Sequence, residues 1–135
     1  MSNKHPSLIY KGRSIGVLIL TVAQLLIGAI HVLFGFLLLG SEGSILKATF
    51  AYDIYTVAFG ILVLVFGWLI WQGKKTGWVG TVAVSVFVSI ADALAVLGLP
   101  SIPGIPTFAA PTEIIYSLLL VIYLLQPHVR KKYGI

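Results

Sequence analysis

Four side chains in this sequence carry the chemistry to hold a proton or a small cation inside an otherwise oily chain: His31, Asp92, Glu113 and Tyr116. Each lies within a long apolar run, where an ionisable group costs a few kcal/mol on insertion scales and needs a partner. At ~1.5 Å per residue, His31 (about nine residues from the end of its run) and Asp92 (about six) both sit roughly 9–14 Å below the same membrane surface. Tyr116 reaches a similar depth, with Glu113 one turn above it. The expectation is that these four converge in one half of the membrane, with His31 meeting Asp92 directly or through a water. Loss of either partner would then strand a buried polar group. Structural roles compete for the same residues: Glu113 would offset a helix N-terminus, the hydroxyls of Tyr116 and Tyr123 would find backbone carbonyls, and His31 would donate to a neighbouring helix. Gln24 reads as an interhelical hydrogen bonder and Asp53 as an interfacial acid.

The elements that must position these groups are four apolar runs, about 14–40, 50–71, 76–97 and 108–126. Each is long enough to cross ~30 Å of hydrocarbon as a helix, the last with little to spare. Pro111 falls near the first turn of the fourth, and Pro127 ends it. Every run carries one small or polar stripe. In the first it is Thr21, Gln24, Gly28, His31 and Gly35; in the second, Asp53, Thr56, Gly60 and Gly67. In the third it is Gly77, Thr81, Ser85, Ser89 and Asp92; in the fourth, Glu113, Tyr116, Ser117 and Tyr123. Spacing near 3.5 puts each set on one seam of a left-handed bundle. Lipid gives little hydrophobic drive between helices, so close backbone approach must hold the seam together. Gly28, Gly35, Gly60, Gly67, Ser85 and Ser89 are the packing residues that this predicts.

Charge gives the orientation. Lys4, Lys11, Arg13, Lys74, Lys75, Arg130, Lys131 and Lys132 all fall on one side of the runs, and only Lys47 is opposite. The positive-inside rule makes the first side cytoplasmic, with both termini there. Trp68, Trp71, Trp78, Tyr10 and Tyr133 form an aromatic belt near that face; Phe50, Tyr52 and Tyr55 mark the other. The connection Gly73-Lys74-Lys75-Thr76-Gly77 is a tight turn, so runs two and three are antiparallel neighbours. The connection 98–110 is uncharged and holds Pro100, Pro103 and Pro106; it should lie on the membrane surface or cap the bundle.

Composition excludes much. The 135 residues are enough for one domain, are 59% hydrophobic and 10% charged, and have a mean hydropathy of +1.04. A soluble domain carries far more charge. The net charge of +5 sits in clusters at helix ends, which points to anionic lipid and not to nucleic acid. With no cysteine, thiolate metal sites and thiol redox chemistry are out. A bis-histidine haem needs two intramembrane histidines, and His5 and His128 lie outside the runs. No metal-ligand spacing and no P-loop or nucleophile-elbow motif is present, so no cofactor or metal is expected.

Two stretches carry a resemblance. One is Gly67-Trp68-Leu69-Ile70-Trp71-Gln72-Gly73-Lys74-Lys75-Thr76-Gly77-Trp78. The other is Tyr123-Leu124-Leu125-Gln126-Pro127-His128-Val129-Arg130-Lys131-Lys132-Tyr133-Gly134. Together they resemble a family of small four-helix integral membrane proteins of archaea and bacteria with no assigned activity. The resemblance covers about half of the chain, implies architecture, and brings no functional residue. The expected fold is all-α: an antiparallel, up-down, four-helix transmembrane bundle over 1–135 in the cell membrane. The first expectation for function is a non-enzymatic accessory or structural subunit, packed against other membrane subunits or copies of itself. The second is an outward-facing module that binds or transports a cation, proton or polar ligand at His31, Asp92, Glu113 and Tyr116.

Overall fold

Thr49 starts the second long helix by turning its hydroxyl back to accept the Tyr52 N–H at 3.2 Å, and Ser14 starts the first by accepting from Val17 at 3.4 Å. The computed structural model describes residues 9–10, 13–41 and 49–135; Lys4, His5, Lys11 and Lys47 lie outside the described residues. Within them the helices are α1 (Ile15–Gly40), α2 (Phe50–Trp71), α3 (Lys75–Val96), α4 (Ala110–Leu124) and α5 (Pro127–Lys132). Two short strands, β1 (Ile9–Tyr10) and β2 (Arg13–Ser14), pair antiparallel ahead of α1.

Helices α1, α2 and α3 are long and apolar enough to cross a membrane; α4 is apolar but shorter. The α2–α3 turn closes on Gly73 at φ 73°, with Gly73 N–H donating to Ile70 O and Lys74 N–H to Leu69 O, the Schellman pattern. The fourth run, expected over 108–126, is helical only over Ala110–Leu124, about 22 Å of rise. Its early end follows from Pro127. The residue before a proline is pushed out of the helical region, and Gln126 sits at φ −61°, ψ 137°. The chain then resumes as α5, which the sequence reading had not anticipated. Val129 and Tyr133, one turn apart on the α5 segment, are buried, and the Tyr133 hydroxyl donates to Ile70 O at 3.1 Å.

The bundle is inside-out relative to a soluble domain. Leu26, Leu33, Phe36, Phe87, Leu119 and Ile122 are exposed, while Thr21, Gln24, Asp53, Thr56, Thr81, Ser85, Asp92 and Ser117 are buried. Patches of that size are untenable in water and are ordinary contacts in acyl chains. The most extensive helix pairing is α1 on α2. A Cβ built on Gly60 would lie 2.8 Å from Gly28 O and from Val32 N. Gly67 packs on Gln24, Gly35 packs on Val57 and Asp53, and Gly77 packs on the backbone of Leu69 and Ile70. α3 lies against α2 and α4; the Trp78 indole N–H donates to Leu124 O at 2.9 Å. Backbone packing of this kind joins α1 to α2, α2 to α3 and α3 to α4. Between α1 and α4, side chains make the contact. The Tyr123 ring fills the space beside Gly16 near one end, and His31 meets Glu113 farther along.

The two ends differ. At the end of the Lys74–Lys75 turn and α5, the basic end, Val17, Leu20, Ile70, Leu120, Leu124, Val129 and Tyr133 form one apolar cluster. At the other, acidic end, the proline-rich connection folds over the bundle. Ser101 Oγ donates to Ala91 O at 2.7 Å, the Thr49 hydroxyl donates to Pro103 O, and Gly104 packs on Thr49 and Tyr52.

Candidate functional site

His31 lies on α1, and its ring is held on two sides. Nδ1 is 2.8 Å from Ile27 O one turn back. A carbonyl only accepts, so Nδ1 carries a proton. The ring edge also packs on Phe59 of α2, with centroids 4.8 Å apart at 74°. Nε2 is thereby aimed across the α1–α4 gap, and it lies 3.5 Å from Glu113 Oε1. An unprotonated Nε2 facing a carboxylate would set acceptor against acceptor, so this contact needs a proton, on the imidazole or on the carboxyl.

The expectation of a direct His31–Asp92 contact is corrected: the imidazole meets Glu113, with Asp92 near enough to act on it electrostatically. The reason is azimuth and reach. Asp92, on α3, is close enough to both Glu113 and His31 to interact with each electrostatically. Asp92 is 1% exposed, and neither carboxyl oxygen has a hydrogen-bond partner. Two carboxylates are acceptors only. A shared proton or a bound cation is what would satisfy both. Glu113 is thus the centre of the group, between an imidazole and a buried acid. It sits in the first turn of α4, where the helix dipole also favours a negative charge.

Two clefts of about 250 Å³ each meet at this group. One is lined by Ile27, His31, Phe59, Val88, Thr112, Glu113, Tyr116 and Ser117. The other is lined by Ile30, His31, Phe34, Tyr52, Pro106, Phe108, Ala109 and Glu113. His31 and Glu113 line both and partition them. The proline connection roofs the second cleft through Pro106 and Phe108. Tyr116 lines the first; its hydroxyl is buried without a partner, so it does not bond a backbone carbonyl. Among the described residues, no group of three His, Cys, Asp or Glu is spaced to hold a metal ion.

The packing residues sit as follows. Gly28 and Gly60 face one another, Gly35 faces Val57, and Gly67 faces Gln24. Ser85 is buried, while half-buried Ser89 donates to Ser85 O within its own helix at 2.8 Å. Gln24 bridges helices through Nε2 donating to Thr81 Oγ1 at 3.2 Å. Asp53, expected at the interface, is 5% exposed, with Oδ1 unpartnered. Sequence reasoning missed Phe59, which orients His31 and walls the cleft. The available signal was its place one turn beyond Tyr55, against which it stacks at 6.2 Å.

Comparison with protein-family models, with curated proteins and with solved structures returned no match in any of the three.

Proposed function

We propose that this is a small multi-pass membrane protein that binds, and exchanges across part of the bilayer, a proton or a small organic cation at His31, Asp92 and Glu113. The observation that carries the reading is Asp92: a nearly inaccessible carboxyl with both oxygens unpartnered, beside a second carboxyl that faces an imidazole. A buried carboxyl left unsatisfied costs several kcal/mol. A fold that needed only stability would have replaced it with an apolar side chain. Two acids against one imidazole, with Phe59 and Tyr116 alongside, favour a positive guest.

The bundle is read as antiparallel and up-down. Support comes from the contact pairs: Gln24 with Gly67, Gly28 with Gly60, and Gly35 with Val57 and Asp53. Eight of nine cations flank the apolar runs on one side in the sequence, which supports cytoplasmic termini and a cluster in the outward half. The accessory-subunit expectation rests on the small size of the chain, its short soluble parts, its small polar seam and its apolar outer surface. Acyl chains cover that surface as well as a protein does, and the geometry adds nothing that selects a partner.

The test uses proteoliposomes loaded with a pH-reporting dye under an imposed pH gradient. Addition of a small alkylammonium should collapse the gradient through the wild-type protein. Asp92→Asn should abolish the response. Equal responses from wild type and Asp92→Asn, or none from either, would remove the proposal.

A further inference from the structure

Behind the cleft lined by Thr112, Glu113 and Tyr116, here the outer cleft, lies a third, smaller space. It is a cavity of about 10 Å³ at mid-bundle, lined by Gln24, Thr81, Ser85, Tyr116 and Ser117 on its polar side and by Phe59, Val63, Phe66, Val84 and Leu120 on its apolar side. Phe59, Tyr116 and Ser117 line both this cavity and the outer cleft. Two polar atoms here lack partners. Gln24 is 2% exposed; its Nε2 is committed to Thr81 Oγ1 at 3.2 Å, which leaves Oε1 buried and unpaired. The Tyr116 hydroxyl is likewise buried and unpaired.

We propose that this cavity is a binding site for one ordered water molecule, which donates to Gln24 Oε1 and accepts from the Tyr116 hydroxyl. The size fits, since a cavity needs at least about 10–15 Å³ of such space to hold a water. The partners fit too. A buried water makes about three hydrogen bonds, and two unpaired atoms plus the Ser85 and Ser117 hydroxyls supply them. An empty cavity, by contrast, is lined by apolar groups. The water extends the polar seam from the outer cleft to the Gln24–Thr81 pair. Beyond that pair, toward the basic end, Leu20, Leu120 and Leu124 belong to the apolar cluster that closes the bundle. The hydrated seam is therefore one-ended. The site does not depend on a cation being held in the outer cleft.

Water-edited solid-state NMR of the unmodified chain in lipid bilayers tests this directly. The Gln24 side-chain amide should gain polarisation from water on the same timescale as the exposed amides of Gln72 and Gln126. If it stays dark after those two have saturated, the cavity is dry and the proposal fails. The substitution Ser117→Val gives a test with opposite signs. Filling a hydrated cavity expels the water, erases the Gln24 transfer and lowers the SDS fraction at which the protein unfolds. Filling a dry cavity raises that fraction, which would overturn the proposal.

Discussion

The substitution Gly60→Ala measures how far the α1–α2 interface depends on bare backbone. An alanine Cβ at this position would lie 2.8 Å from Gly28 O, from Val32 N and from Val32 Cγ2. Ordinary contact begins at 3.4 Å, so the helices must part locally by roughly 0.6 Å. Two of the three obstructing atoms are main chain and cannot rotate away. Overpacking of this kind costs about 1–3 kcal/mol. The gain in helix propensity on replacing glycine recovers up to about 1 kcal/mol, which leaves a net loss of about 0–2 kcal/mol, and of about 1–3 kcal/mol relative to a control that keeps the gain alone. Gly40→Ala is the control. It lies at the end of the same helix pair, and a Cβ there meets nothing within 4 Å. Unfolding followed by tryptophan fluorescence during SDS titration in mixed micelles should show Gly60→Ala shifted to lower SDS fraction and Gly40→Ala unchanged or shifted slightly up. Because His31 is only one turn from Gly28, parting the helices should also loosen the His31–Phe59 contact and weaken any cation response in vesicles. Equal stability of the two variants would refute the idea that the α1–α2 seam is held by main-chain approach.

Two further outcomes are expected. Gly104 has φ +94°, and a Cβ there would lie 2.9 Å from Thr49 Oγ1 and 3.0 Å from Thr49 N; Gly104→Ala should therefore release the proline connection from α2, at about 1–3 kcal/mol, and hydrogen exchange of amides 99–109 should rise while α1 stays protected. The chain has no cysteine, so single replacements Lys75→Cys and Lys131→Cys can be labelled cleanly; in intact cells both should resist a membrane-impermeant maleimide and react only after permeabilisation, and labelling of either from outside would reverse the proposed orientation.

Much of the architecture was legible because the punctuation is local. Gly73 after an apolar run and Gly98 before Pro100 each act through their own backbone, and α2 runs over the expected residues. The seam was legible for a similar reason: in a chain this apolar, few positions are small or polar, and period alone groups them. What failed was whatever needed azimuth. Height along a helix follows from counting residues, so His31, Asp92 and Tyr116 were expected at one level, with Glu113 a turn above. Which pair touches depends on rotation about each axis and on side-chain reach, and period does not give either to within one side chain. Glu113, longer than Asp92 and set on the helix across the gap, takes the imidazole. α5 was missed because it is a helix of only six residues that begins on the proline ending α4. Its signal was present in Val129 and Tyr133 four apart with Gly134 behind them, the same stop that ends α2 and α3.

The short α4 explains why the polar group exists at this depth at all. His31 is nine residues from the end of α1, about 14 Å of helix, yet it meets Glu113 in the first turn of α4. α4 therefore begins well below the level at which α1 ends. A helix N-terminus placed that deep exposes N–H donors with no helical partner. The local sequence answers this three ways: Pro111 has no N–H to satisfy, the Thr112 and Glu113 N–H groups turn back to Ala109 O, and the Glu113 carboxyl complements the dipole. The space left above α4 is filled by the apolar proline connection, pinned at Ser101, Pro103 and Gly104. An ordinary full-length fourth helix would have carried its first turn, and its acid, up to the headgroups. The inset start instead holds a carboxyl against an imidazole and a second carboxyl, under an uncharged roof, in the half of the bundle that the apolar cluster at the basic end does not seal.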